Sequence, residues 1–144
     1  MEGREIFARF WRRRIKSAQE KLLDVLGSAC KIFGPASMVI VSTYDGLLVG
    51  FASNKQAPEV NEDLVAGLLT LLWRTGNRLS RDLGIGSLDH IRIRTKENNI
   101  YVYPDNQSNS FLLTVVTATN VAPLIIEGVS NSIIRKISNL LRGE

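Results

Sequence analysis

The segment from residue 61 to 83 constrains the fold most strongly, because it predicts a helix that is apolar nearly all the way round. One stripe at helical spacing could lie on a sheet and consists of Leu64, Leu68, Leu71, Leu72, Thr75, Leu79 and Leu83. A second apolar group lies about 100° around the helix and consists of Val65, Leu69, Trp73 and Gly76. A helix of this kind is covered on more than one side. In a chain of 144 residues a second copy is the most economical cover, because a patch on a two-fold axis is self-complementary. We therefore expect a homodimer whose interface contains the second group.

The first 60 residues predict one long helix followed by a β-hairpin. The helix is indicated by apolar residues at spacings of three and four, namely Trp11, Ile15, Ala18, Leu22, Val25, Ala29 and Ile32. A Gly-Pro pair at 34–35 ends it, since proline cannot continue a helix. Residues 37–43 and 47–52 are then expected to be strands, because the Asp-Gly pair at 45–46 between two apolar runs is a strong signal for a tight turn.

The remainder of the chain predicts two more helices and three more strands. Asn61 is expected to cap the apolar helix and Gly84 to end it. Strands are expected at 88–96, 100–103 and 110–119, with a tight turn at Asn98-Asn99 between the first two. Asn120 is expected to cap the last helix, whose apolar stripe is Ile126, Val129, Ile133, Ile137, Leu140 and Leu141. The predicted order is αββαβββα, an α+β arrangement.

The strand predicted at 88–96 has one apolar face and one charged face. Ile91 and Ile93 alternate with His90, Arg92, Arg94 and Lys96. We expect this strand at the sheet edge beside the apolar helix, where it would extend the sheet across the two-fold axis and add Ile91 and Ile93 to the interface. The charges on its other face would stay solvated and discourage wrong edge pairing.

The net charge of +4 is confined to the first sixteen residues. Residues 1–16 carry six basic and two acidic side chains, whereas residues 17–144 carry twelve of each. We therefore divide the chain into a basic amphipathic helical leader, 1–16, continuous with the first helix, and a neutral domain, 17–144. A neutral body without a groove-reading motif makes nucleic acid an unlikely partner.

The leader has several competing interpretations. The leader residues expected to contact a partner or a membrane are Phe7, Arg9, Phe10, Trp11, Arg12, Arg13 and Lys16. The leader could pack on its own dimer, dock on a protein partner, or lie on an anionic membrane as a basic interfacial helix. Contact with nucleic-acid phosphates is a further alternative.

Catalytic, metal and cofactor sites are not indicated by the sequence. His90 is the only histidine and Cys30 the only cysteine, so a Cys/His metal site would have at most two ligands. Asp89 precedes His90 directly, and adjacent residues on a strand face opposite sides, which argues against part of a catalytic triad. Cys30 is expected to be an inert packed thiol. One cysteine and no signal peptide indicate a cytoplasmic protein, with peripheral attachment to a membrane as an alternative.

Several motifs in order carry a resemblance to a known family. They are Met38-Val39-Ile40-Val41 and Tyr44-Asp45-Gly46-Leu47-Leu48-Val49 as a hairpin, the apolar helix from Glu62, the stretch LSRDLG at 79–84, the strand with Ile91 and Ile93, and Asn120 at the last helix. Over about residues 17–142 this order resembles the roadblock / dynein light-chain family of the longin-like superfold. The resemblance implies a five-stranded antiparallel sheet with the middle helix on one face and the terminal helices on the other.

The same resemblance implies a function without catalysis. Members of this family form homodimers or heterodimers by joining sheets and pairing second helices, and they serve as scaffolds and regulators of Ras-like small GTPases or as adaptors in motor complexes. A regulator of this kind could offer an arginine in trans to a GTPase. The candidates by location are Arg74, Arg78, Arg81, Arg92 and Arg94.

Overall fold

A computed structural model describes residues 2–106 and 110–143, except for the side chains at positions 2, 7 and 10–16. The elements are α1 Glu2–Phe33, β1 Met38–Thr43, β2 Leu48–Ser53, α2 Glu62–Asp82, β3 Ile91–Arg94, β4 Asn98–Pro104, β5 Phe111–Ala118 and α3 Pro123–Leu141. The predicted order αββαβββα is therefore confirmed.

The five strands form a single antiparallel sheet in the order β2-β1-β5-β4-β3. β1 and β5 lie side by side near its centre, and their continuous apolar runs are buried on both faces. β2 and β3 lie at the two edges. The position expected for the strand with Ile91 and Ile93, at an edge, is confirmed.

Alternation along β1 separates two apolar cores. Val39 and Val41 pack with residues of α1 and α3, whereas Met38 and Ile40 pack with residues of α2. Because successive side chains of a strand point to opposite faces, the two cores lie on opposite sides of the sheet. The prediction of the middle helix on one face and the terminal helices on the other is thus confirmed.

The β1–β2 hairpin turns as its Asp-Gly pair predicts and lies against α2. Gly46 has a φ of +95°, a conformation that residues with a side chain rarely adopt. The Thr43 hydroxyl accepts a hydrogen bond of 2.9 Å from the Leu47 N–H, which closes the turn. A Cβ on Gly46 would lie 3.5 Å from the Cα of Gly67, so the turn and α2 approach each other closely.

The boundaries of α2 agree with the sequence analysis, whereas the start of α3 does not. Asn61 Oδ1 accepts a hydrogen bond of 3.2 Å from the Leu64 N–H, and Gly84 follows the helix with a φ of +67°. α3 begins at Pro123, after a cap at Ala122 that has no side-chain hydrogen bond. The cap predicted at Asn120 is wrong, because the fixed φ of proline starts this helix without a side-chain cap.

The turn between β3 and β4 lies earlier than predicted. The Thr95 N–H donates to the Asn98 carbonyl at 2.8 Å, and the Asn98 N–H donates to the Thr95 hydroxyl at 3.0 Å. Residues 95–97 therefore make the turn, and Asn98 and Asn99 open β4. The asparagine pair was a misleading signal, since the threonine hydroxyl supplies the turn hydrogen bond instead.

Among the described side chains of α1, those buried in the domain lie in the C-terminal part of the helix. Its buried side chains are Leu22, Leu26, Ala29, Cys30 and Phe33. Ile32, which the apolar seam placed toward the core, is 57% exposed. The residues before Leu22 extend the helix by roughly 30 Å at 1.5 Å per residue, and their described side chains are exposed except for the half-buried Ala8.

Candidate dimer and partner surfaces

The structure places the two apolar sides of α2 the other way round from the prediction. The side with Leu69 and Trp73 lies against the sheet, and the side with the exposed leucines faces solvent. Leu69 and Trp73 are only 7% and 4% exposed and pack with residues of β1, β4 and β5 in the core of their own chain. The prediction that these two side chains meet a second copy is therefore wrong. Ala66 and Thr70, on the same side of the helix, are buried and small enough to let α2 approach the sheet closely.

The other four predicted interface residues lie around this intramolecular contact. A Cβ on Gly76 would lie 2.9 Å from Leu88 Cδ2 and 3.5 Å from Ile91 Cδ1, so Gly76 gives room to its own chain. Val65 and Ile91 are partly buried against the same core, and Ile93 is partly buried on β3. Of the six residues, Leu69 and Trp73 are excluded from an interface by burial in the monomer.

Most of the stripe that was expected to face the sheet faces solvent, whereas its Leu72 is partly buried against the core of its own chain. Four leucines of α2 and Leu83, which directly follows the helix, are more than half exposed; the values are Leu64 59%, Leu68 55%, Leu71 60%, Leu79 58% and Leu83 61%. We call this surface the leucine face. Leu47 at the hairpin turn and Ile85 beyond α2 are also exposed, at 64% and 72%. Exposed apolar surface of this extent on one helix is typical of a protein–protein contact.

Two of these exposed residues were missed by the sequence analysis. Leu47 directly follows the Asp-Gly turn, and Ile85 lies between two glycines after α2. An apolar side chain at the tip of a turn is a usable signal, because a turn of this kind normally exposes polar residues. The faces of α2 could also have been assigned from Ala66 and Thr70, whose small side chains lie beside Trp73.

β3 offers an open strand edge next to α2. It pairs with β4 on one side only, with Ile91 opposite Val102 and Ile93 opposite Ile100. The other edge has no strand partner within the described chain, and an unpaired edge is a template for pairing with another strand.

The opposite face of β3 carries cations over a row of aromatic rings. The Tyr101 and Tyr103 rings are parallel with centroids 6.2 Å apart, and His90 stacks on Tyr103 at 5.6 Å. The Arg92 guanidinium lies 5.4 Å from the Tyr101 ring centroid, a cation–π distance. Burial raises the pKa of Tyr103 to about 12, and the Glu127 carboxylate adds to this increase.

Asp89 and His90 do contact each other, contrary to the expectation from the sequence. His90 Nδ1 lies 2.7 Å from Asp89 Oδ2. Both residues precede β3, which begins at Ile91, so the alternation of an extended strand does not apply to them. The pair is exposed, and within the described chain no serine, threonine or cysteine hydrogen-bonds to the imidazole, so it forms no catalytic triad.

The contacts of the five candidate arginines do not single out one of them as catalytic. Arg74, Arg78, Arg81, Arg92 and Arg94 are all exposed. Arg74 donates a 3.4 Å hydrogen bond to the Tyr44 carbonyl, and Arg78 lies 3.8 Å from an Asp82 carboxylate oxygen. Nothing in these contacts distinguishes one arginine as a catalytic group offered in trans.

The leader residues are described only in part. The backbone from Glu2 is helical, and the Arg9 side chain is exposed. The side chains of Phe7, Phe10, Trp11, Arg12, Arg13 and Lys16 lie outside the described part of the chain. Ile6, beside them, is 68% exposed.

Metal-binding and membrane-spanning features are absent from the described ranges. In 2–106 and 110–143, no group of three acidic, histidine or cysteine side chains could hold a metal ion. No helix in that part of the chain is both long and apolar enough to cross a membrane. Cys30 is buried with its Sγ 3.4 Å from the Ala52 carbonyl oxygen, and burial raises the pKa of its thiol.

Comparison with known protein families gives a match over more than half of the chain. A family model described as Roadblock/LC7 domain matches residues 34–117. No curated protein sequence matches the chain.

Similar solved structures cover most of the chain at low sequence identity. A structure described as MglB with tetrameric arrangement has a TM-score of 0.75 at 15% identity and covers 85% of this chain and 89% of its own. The gliding protein MglB from Thermus thermophilus has a TM-score of 0.75 at 15% identity, over 88% of this chain and 93% of its own. A Roadblock/LC7 domain from Streptomyces avermitilis has a TM-score of 0.70 at 13% identity, over 82% and 95%. At these identities the likeness establishes the shared fold.

Proposed function

The chain belongs to the Roadblock/LC7 domain family, and from that premise we propose that it is a homodimeric, non-catalytic module that binds a Ras-like small GTPase and regulates its nucleotide cycle or its position. The observation that carries the proposal is the leucine face of α2 beside the open edge of β3. These two features supply a surface that a monomer leaves exposed and a second copy covers.

The leucine face supports a dimer energetically. Each leucine still exposes more than half of its side chain, so covering it contributes on the order of 1 kcal/mol. Five such residues on each of two copies oppose the cost of association, which is roughly 4–15 kcal/mol. A two-fold axis uses the same patch twice, so the contact needs no second type of surface.

The charges of α2 support an antiparallel pairing of the two helices. Glu62 and Asp63 lie in its first turn, and Arg78 and Arg81 lie near its end. A two-fold axis perpendicular to the helix brings the acidic start of one copy toward the basic end of the other. Complementary charges at both ends of the contact favour this register over a parallel one.

The open edge of β3 fits the same symmetry. A two-fold axis perpendicular to the sheet would bring the two β3 strands together and keep both α2 helices on one face. The unpaired backbone groups of β3 would then gain partners, and Ile91 and Ile93 would lie next to the joined strands. Self-association of a similar fold is consistent with the MglB described as tetrameric.

Binding of a GTPase is supported by family membership and by the exposed arginines. The test uses the Ras-like GTPase encoded nearest to the gene of this protein, loaded with GDP or GTP. We expect a pull-down with full-length protein and a changed rate of GTP hydrolysis or of nucleotide exchange. Absence of binding in both nucleotide states would contradict the proposal.

The same assay separates catalysis in trans from scaffolding. If one arginine acts in trans, its replacement by alanine lowers accelerated hydrolysis by about 10³-fold or more while binding persists. The five single variants are R74A, R78A, R81A, R92A and R94A. If the protein is a scaffold, none of the five changes hydrolysis, and the complex still forms.

A second candidate function is attachment to an anionic membrane surface or to a motor complex through the leader. It is favoured by the way α1 continues for about twenty residues before Leu22, the first buried residue among the helix side chains that the structure describes. The described leader side chains Arg4, Ile6 and Arg9 are exposed, which is compatible with a helix that contacts something outside its own domain. Basic and apolar residues together are typical of an interfacial helix.

A further inference from the structure

The basic face of β3 is separate from both the leucine face and the leader. Arg92 and Arg94 alternate with Ile91 and Ile93 and therefore point away from α2. Both arginine side chains are exposed, and Arg92 rests on the Tyr101 ring, which is itself buried. A cation–π contact of this kind uses none of the guanidinium N–H groups as hydrogen-bond donors to a carboxylate, so they can still donate two hydrogen bonds to one.

These arginines have no carboxylate partner within the described chain. The ion pairs there are Arg78 with Asp82 and His90 with Asp89. Asp89 is thus engaged by its neighbour, and Glu127, on α3, is the other acidic group that acts on this aromatic row. Because neither arginine is in an ion pair within the described ranges, both charges are available to an external anion.

The helices on this side of the sheet form a layer that does not extend over β3. α1 lies against β1 and β2, and α3 lies against β5. In a dimer joined at β3, the two-fold axis places both copies' Arg92 and Arg94 on one face, between two helix layers. Tyr101 and Tyr103 of β4 are buried in the core that α1 and α3 cover, so the open floor of this trough consists of the two β3 strands. It is roughly 10 Å across, and the walls are helices about 10 Å thick.

We propose that this trough binds an acidic, extended segment of a partner protein, whose carboxylates pair with Arg92 and Arg94 of both copies. The inference rests on the proposed dimer joined at β3. An extended segment takes about 5 Å in the direction across the strands, so it fits along the two β3 strands between the walls. A flat bilayer would rest on the two helix layers instead and would not reach the arginines on the floor.

The probe is a fluorescent synthetic peptide of about 16 residues that stays extended and carries glutamates at alternate positions, so that they lie on one side. Its affinity is measured by anisotropy with full-length protein at low and at physiological salt. We expect salt-sensitive binding that weakens at least about tenfold in the double variant R92Q/R94Q, because four exposed ion pairs are lost per dimer. The matched control K31Q/R135Q removes the same charge from exposed positions on α1 and α3 and should bind like the wild type.

Two further measurements keep the outcomes distinct. The mass of R92Q/R94Q by light scattering should equal that of the wild type, so weaker binding with a halved mass would point to a failed dimer and overturn the trough assignment. Vesicles of phosphatidylglycerol should bind the wild type and R92Q/R94Q equally. Weaker vesicle binding by R92Q/R94Q than by the wild type would assign the arginines to lipid and overturn the proposal. Equal peptide affinity in the wild type, R92Q/R94Q and the control would also overturn it. So would a wild type that does not bind the peptide.

Discussion

The side chain of Trp73 organises the contact between α2 and the sheet. It is 4% exposed and packs in the core that also contains Ile40 and Leu112. Leu71, two residues earlier on α2, is 60% exposed. Two apolar residues on one helix therefore have different roles, because one completes the fold of a single chain and the other is available to a second copy.

This difference at the residue scale gives a direct prediction for stability. Trp73→Ala removes a buried aromatic side chain and should lower the free energy of unfolding by about 3–5 kcal/mol. Leu71→Ala should lower the free energy of unfolding by only about 1 kcal/mol, because less apolar surface would be buried at the proposed interface. Urea unfolding followed by circular dichroism measures both variants. A larger loss for Leu71→Ala than for Trp73→Ala would reverse the assignment of the two faces.

At the scale of elements, the sequence predicted turns and helix ends correctly wherever no neighbouring residue imposed a stronger local constraint. The Asp-Gly turn, the Asn61 cap and the Gly84 terminus needed only neighbouring residues, and all three are present. The turn at Asn98-Asn99 and the cap at Asn120 were wrong because Thr95 and Pro123 supplied stronger local constraints. These errors shifted boundaries without changing the order of elements.

The faces of α2 could not be assigned by periodicity, for a physical reason. Helical spacing shows that a helix has two apolar sides, but it gives no information on which side meets the sheet. The choice depends on fit: small Ala66 and Thr70 allow close approach, and Gly76 makes room for Leu88. The interface residues were therefore less predictable than the fold.

The role of the N-terminal part of α1 can be tested by deleting it. Liposome co-sedimentation compares the full chain with a variant that lacks residues 2–16. The deletion ends before Leu22, where the buried side chains begin in the described part of α1. If the leader attaches to membranes, the full chain should bind phosphatidylglycerol vesicles at low salt and the truncated chain should not, since each basic residue near the surface contributes about 1 kcal/mol. Phosphatidylcholine vesicles are the control. Equal partitioning of the two proteins would contradict this role.

At the scale of the whole molecule, the sheet separates surfaces with different chemistry. One side carries α2 with its leucine face, and the other carries the arginines of β3 and the layer of α1 and α3. The proposed two-fold axis passes between the two copies of β3. One contact would therefore cover the leucine face and also bring Arg92 and Arg94 of both copies together. In this account, dimer formation precedes recognition of a partner.

The measurement that tests this account most directly is the mass of the protein in solution. Light scattering coupled to size exclusion should give at least twice the 16.0 kDa mass of the chain. The variant L68D/L71D should give a single chain with an unchanged circular dichroism spectrum, because charges on the leucine face oppose its burial. Leu124→Asp, at an 82% exposed position on α3, is the control and should keep the larger mass. A monomeric wild type, or a folded L68D/L71D variant that keeps the larger mass, would contradict the account.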